Sequence, residues 1–192
     1  EKELDGLKSR RDALRELADD YDGFAQGVRS VLKAKRRGAL GGVHGAVAEL
    51  IEVPAGLEVA VETALGGALQ HIVVETERDG REAIAYLKRE NAGRATFLPL
   101  DVVRGRCLSE ADRKAASASA GWIGVASELV RFAERYRAVV ENLLGVVIVA
   151  KTLEDANRIA ASLQYRYRVV TLDGDVVHPG GSMTGGSLLN RA

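Results

Sequence analysis

Two stretches of this chain set out the same parts in the same order, and that duplication limits the available folds more than any single motif does. The first passes through Val61-Glu62 and Leu65-Gly66 into the apolar run Ile72 to Val74. Thr76 and Asp79 follow, then a helical pattern carrying Leu87 and a further apolar run through Phe97. The second passes through Val140-Glu141 and Leu144-Gly145 into Val146 to Val149, then Thr152 and Asp155, a pattern carrying Leu163, and a run through Thr171. A threonine followed three residues later by an aspartate has capping-box spacing, so a helix begins just after each apolar run. Short apolar runs bounded by such signals read as buried strands. Each stretch therefore reads helix, strand, helix, strand, and the offset of about 75 to 79 residues is too irregular for a solenoid. The expectation is a mixed α+β fold made of two similar subdomains.

The remaining elements fill in around this duplication. Leu4, Leu7, Leu14, Ala18 and Tyr21 fit an a/d spacing, with Arg11 at one a position. That suits either a short coiled-coil strand or an amphipathic surface helix. The helix restarts near Phe24 and runs to Lys35, with Val28, Val31 and Leu32 on one face. Gly41 to Gly45 introduces a strand over 46–53 that Pro54 ends, and a helix follows from Gly56 to Leu65. Residues 101–120 lose the periodicity, and the small, polar run Ala115 to Ala120 reads as a connector. Trp122 to Val125 is a short strand, 132–144 a helix, and Asp173-Gly174 a hairpin turn into Asp175, Val176 and Val177.

Bulk properties exclude several classes. The 27 basic and 27 acidic residues cancel, which removes strong non-specific nucleic-acid binding by the whole body but leaves room for a local basic patch. With 46% hydrophobic residues and three prolines, the chain can build a core. The single cysteine, Cys107, excludes an internal disulfide framework and fits a reducing, cytoplasmic setting. His44, His71 and His178 have no metal-ligand spacing, and Ser182 sits outside any nucleophile elbow, so neither a metal nor a catalytic set is expected.

The C-terminal stretch stands apart. Five glycines fall between Gly174 and Gly186. Such density costs backbone entropy and calls for turns, positive φ, or a close neighbour. The segment Gly180, Gly181, Ser182, Met183, Thr184, Gly185 and Gly186 lacks the lysine and the following helix of a phosphate-binding loop. Close approach of a second backbone suits it better, with Asp175, Val176 and Val177 as an edge to be paired. The competing reading is a small α/β domain that uses Gly180 to Gly186 to bind a nucleotide or phosphate. Two basic groups suit nucleic-acid phosphates. One is Arg166 and Arg168, which alternate with Tyr165 and Tyr167 and would form one face of an extended strand. The other is Lys33, Lys35, Arg36 and Arg37, which also suit the C-terminal turn of a helix.

Taken together, Gly42 to Gly45, Ala64 to Gly67 before Ile72 to Val74, Gly93 to Leu100, Val170 to Asp175 and Gly180 to Gly186 resemble the hinge domain of SMC (structural maintenance of chromosomes) proteins. The form of the glycine motif is most similar to the bacterial homodimeric branch. The resemblance covers residues 38–187. It implies two subdomains, each a mixed sheet with helices, that pair with a second copy and are flanked by antiparallel coiled-coil strands. On that reading 1–37 is the entering strand and helix, 38–108 and 121–186 are the subdomains, 109–120 is a connector, and 187–192 begins the returning strand. The first residue, Glu1, is not methionine, which agrees with a piece of a longer protein. The resemblance implies no catalysis and no cofactor here, and a parent ATPase of chromosome condensation and segregation that binds ATP and accessory subunits elsewhere. It also implies weak, salt-sensitive contact with single-stranded DNA.

Overall fold

The computed structural model describes residues 21–187. Of the expected entering strand and helix (1–37) and returning strand (187–192), residues 1–20 and 188–192 lie outside the described residues. The chain divides into two compact units, one made of 1–49 with 70–102, the other of 50–69 with 103–192. The expected first subdomain, 38–108, is thus not a unit by itself, because 50–69 packs with the second.

In the first unit, helix α1 (Gln26–Arg36) precedes strand β1 (Val43–Ala46) and helix α2 (Val47–Leu50). After the excursion through 50–69 come β3 (Ile72–Val74), α4 (Glu77–Arg89) and β4 (Phe97–Pro99). The sheet order is β1-β3-β4, with β1 antiparallel and β4 parallel to β3. The parallel pair needs a crossover, and α4 supplies it. Val28, Val31 and Leu32 of α1 meet Ile72, Val74 and Leu87 in the core, with Phe24 and Phe97 at its margin. Each fully buried side chain of this kind contributes about 1.5–3 kcal/mol of transfer free energy.

The second unit holds β2 (Ile51–Glu52) and α3 (Glu58–Leu65), then α5 (Glu110–Ser117), β5 (Trp122–Val125), α6 (Ala126–Leu129) and β6 (Arg131–Phe132). It continues with α7 (Arg137–Leu144), β7 (Ile148–Ala150), α8 (Leu153–Ser162), β8 (Val169–Thr171), β9 (Val176–Val177) and β10 (Met183–Thr184). Its sheet order is β10-β9-β8-β7-β5. Ile148, Ile159, Leu163, Val169 and Val177 form its core.

The duplication inferred from sequence is real in the backbone. Strand, short helix, two-residue strand, helix, strand, helix, strand runs from β1 to β4 and again from β5 to β8. Both antiparallel pairs carry an irregularity at the same place, between Val43 and Gly45 in one and between Trp122 and Gly124 in the other. Thr76 accepts the Asp79 N–H and Thr152 the Asp155 N–H, as the spacing predicts. Strands β2 and β6 hold the same place in their copies and pair antiparallel, Ile51 with Phe132 and Glu52 with Arg131.

Four expectations fail for identifiable reasons. The strand over 46–53 is broken because Glu49 Oε1 accepts the Ala46 N–H at 2.9 Å and closes a helical turn, α2. Residues 110–117 form α5 rather than a featureless connector. Ser109 caps it by accepting the Asp112 N–H, and only Ala116 is buried, which hides the helical period. The helix expected over 132–144 starts at Arg137, since Phe132 belongs to β6. Gln164 to Arg168 is a turn, not a strand: Gln164 and Tyr165 both take a φ of 54°, and the Tyr165 N–H returns to the Ala160 carbonyl.

Candidate functional site

The glycine-rich end folds as a hairpin that extends the second unit's sheet by one strand. Met183 pairs with Val177 and Thr184 with Val176. The turn between them closes through the His178 N–H on the Ser182 carbonyl at 2.7 Å and the Gly181 N–H on the His178 carbonyl at 2.9 Å. The His178 ring and Thr184 Oγ1, 2.9 Å apart, tie the two strands together from the side. Strand β10 ends the sheet, so among the described residues no strand covers its outer side. Met183 is 59% exposed on that edge. An exposed edge with a large apolar side chain favours pairing with another chain. The sequence marked this segment as a contact surface; that it is itself a strand went unseen, because two residues between glycines give no periodicity.

The glycines answer first to their own chain. Gly180 and Gly181 take φ of 90° and 103° in the turn. A Cβ on Gly185 would lie 2.4 Å from Asp175 Oδ1, which also accepts the Gly186 N–H at 3.3 Å. The Gly180 N–H is bound to the Tyr165 carbonyl. The amides of Gly180, Gly181 and Gly186 are therefore spent internally, and a carboxylate stands beside the loop. An anion cradle needs free amides and no such carboxylate, so this segment does not fit the phosphate-loop reading.

The hairpin turn packs on the turn after α8, which brings Arg166 and Arg168 to the same end of the unit. They do not form a stripe. Arg166 Nη2 donates to Asp112 Oδ1 at 2.7 Å, and Tyr167 Oη donates to Asp112 Oδ2 at 2.6 Å. The tyrosine hydroxyl first, then the arginine, hold the Asp112 carboxyl below the ordinary carboxylate range, and the Tyr167 phenol is correspondingly raised. Arg168 is half-buried and donates to the Ala64 carbonyl at 2.6 Å, capping the last turn of α3. Burial lowers its pKa. Tyr165 is 37% exposed.

The other basic group ends α1, in the first unit. Lys35 Nζ donates to the His44 carbonyl at 2.9 Å, Arg37 Nη2 to Tyr86 Oη at 2.9 Å, and the Arg36 guanidinium lies 4.8 Å over the Tyr21 ring. Lys33 is exposed. Much of this cluster therefore holds local structure, as cations in a last helical turn do. Among the described residues no group of three or more His, Cys, Asp or Glu could hold a metal ion, and no helix is long and apolar enough to cross a membrane.

The combination defines a class: an α+β module with a duplicated core and an open sheet edge. The comparisons give the family. Residues 40–160 match the family model of the SMC proteins flexible hinge domain, so the chain belongs to the SMC hinge family. It is 51% identical over 184 residues to the chromosome partition protein Smc of Bacillus subtilis (strain 168), covering 96% of this chain and 15% of that protein. It is thus similar to a small part of a much longer relative. Among solved structures, it resembles the Geobacillus stearothermophilus SMC hinge domain, an asymmetric dimer, with a TM-score of 0.89 and 54% identity over 98% of this chain and 76% of that one. The Pyrococcus furiosus SMC hinge domain matches with a TM-score of 0.69 and 28% identity, over 85% and 82% of the two chains.

Proposed function

We propose that this chain is the dimerisation hinge of a chromosome condensation and segregation ATPase, joining two copies so that flanking coiled coils and distant ATP-binding heads act as one ring or V-shaped assembly. The observation that carries this is strand β10, an open sheet edge with Met183 exposed, in a chain of the hinge family. The dimer contact runs along Asp175, Val176, Val177 and Gly180 to Gly186. The unit itself is non-catalytic, and ATP and accessory subunits bind the parent elsewhere. Light scattering coupled to gel filtration tests the pairing: a mass of twice the chain is expected, and a single-chain mass at every concentration contradicts it.

Contact with DNA is the second part of the proposal, with Lys33, Lys35, Arg36, Arg37, Arg166 and Arg168 as its basic groups and a preference for single strands. Support is the surplus of guanidinium and ammonium groups at the end of α1 and after α8. Phosphate contacts release counterions, so affinity should fall steeply with salt. Fluorescence anisotropy of a labelled oligothymidylate measures this. Salt-independent binding, or full affinity in a chain with Lys33, Arg166 and Arg168 all changed to alanine, removes these residues from DNA contact.

A further inference from the structure

A cleft of about 320 Å³, partly open to solvent, lies in the second unit and is lined by Arg106, Arg166, Arg168, His178, Val147 and Tyr167 among others. Among the described residues no carboxylate lines it, although Asp112 bonds to two of its walls, Arg166 and Tyr167. Two of its cations lack a counter-charge. Arg168 is half-buried and, among the described residues, makes one hydrogen bond, to the Ala64 carbonyl, and no ion pair. A guanidinium has five N–H donors, so most of this one's hydrogen-bonding capacity is unused. Taking a cation from water without a partner is costly, and the lowered pKa of Arg168 reports that cost.

Arg106 is held in place by its backbone rather than by its side chain. Asn142 Nδ2 donates to the Arg104 carbonyl at 2.9 Å, and a Cβ on Gly145 would sit 1.7 Å from the Arg106 carbonyl oxygen. The loop is thereby clamped onto α7, leaving the Arg106 side chain on the cleft with no ion pair among the described residues. Arg166 is neutralised by Asp112, which fixes its position on the wall. The cleft therefore has two uncompensated guanidiniums and one compensated one. Arginine forks match the oxygens of a phosphate in shape as well as charge.

We propose that this cleft is a phosphoryl-binding site in which Arg106 and Arg168 hold the anion and Asp112 positions Arg166 beside it. A small polyphosphate and the terminal phosphate of a nucleic-acid strand offer the same chemistry. The site shares arginines with the DNA reading but stands without it, since pyrophosphate alone can occupy it.

The test is an NMR titration of the arginine Nε–Hε signals with pyrophosphate, with calorimetry alongside. Saturable shifts are expected at Arg106 and Arg168, with little change at Arg78, an exposed arginine paired with Glu82 in the first unit. Arg106→Gln should weaken pyrophosphate about tenfold or more, by loss of a charge-assisted contact. Arg168→Gln also uncaps α3, so Arg106→Gln carries the decision. Equal, unsaturable shifts at all surface arginines, or unchanged affinity in Arg106→Gln, overturn the site. A parallel arm compares 5′-phosphorylated and 5′-hydroxyl oligothymidylates. Tighter binding of the phosphorylated strand, lost in Arg106→Gln, assigns the site to strand ends. Equal binding of both strands, with pyrophosphate still saturating, assigns it to a small anion. Absence of oligonucleotide binding by the unchanged chain, with pyrophosphate still saturating, defeats the DNA reading alone.

Discussion

The first unit's sheet stops at β4, three residues that end in Pro99, whereas the equivalent strand β8 runs on through Asp173-Gly174 into β9 and β10. Up to that point the two copies are built alike: antiparallel pair, threonine-capped crossover helix, parallel pair. Beyond it they diverge. Among the described residues the second unit alone adds a hairpin, β9 with β10, at the end of its sheet, while the turn after its crossover helix has a counterpart: Gln164 and Tyr165 take positive φ there, and Asn91 and Gly93 do after α4. Shared parts make cores, and the hairpin, which has no counterpart in the first unit, carries the proposed dimer contact. The duplicated scaffold can be kept for stability while one copy's ends are free to serve binding.

That division can be broken by mutation. The largest effects should come from the shared cores. Ile72→Ala and Ile148→Ala, at matching places in β3 and β7 and both fully buried, should each cost about 2–5 kcal/mol in urea unfolding. A loss under about 1 kcal/mol in one copy only would show that the copies do not share the same core logic. Next come the cap threonines. Thr76→Ala and Thr152→Ala should each cost about 1 kcal/mol, Thr76 the more, because only there is the full reciprocal capping box present. Equal and negligible losses would mean that packing alone sets the ends of α4 and α8.

The smallest effect separates the copies. Asp112, in the second unit, is held below the ordinary carboxylate range by Tyr167 and Arg166. A depressed folded-state pKa gives stability that is fully present above the unfolded value of about 3.9 and is lost as pH falls through the folded one. Asp112→Asn should therefore flatten the acid side of the thermal-stability profile below about pH 4. An identical acid limb in the variant would show the contact to be worth nothing to folding.

What the sequence reveals follows the same division. The cores and the crossover helices were legible because apolar runs and Thr–Asp spacings report local chemistry directly. Short α2 was not, since it depends on one glutamate reaching back to Ala46. Helix α5 was not, because a single buried alanine leaves no period. At the candidate site the glycine density has a cause inside the chain that the sequence did not show: a Cβ on Gly185 would meet Asp175 before any partner arrives. Arg106 and Asp112 had no local signal at all. Their roles arise from residues brought together across dozens of positions, such as Asp112 with Arg166 and Tyr167.

The central claim is that β10 is the edge by which two copies join. Sedimentation equilibrium of the wild-type chain and of Met183→Glu tests it most directly, because Met183 is exposed and its loss removes no core contact. The wild type should be dimeric at micromolar concentration. The variant should be monomeric with an unchanged circular-dichroism spectrum, since a charge on the edge blocks strand pairing. A variant that dimerises as tightly as the wild type would place the contact elsewhere, and a monomeric wild type would remove it.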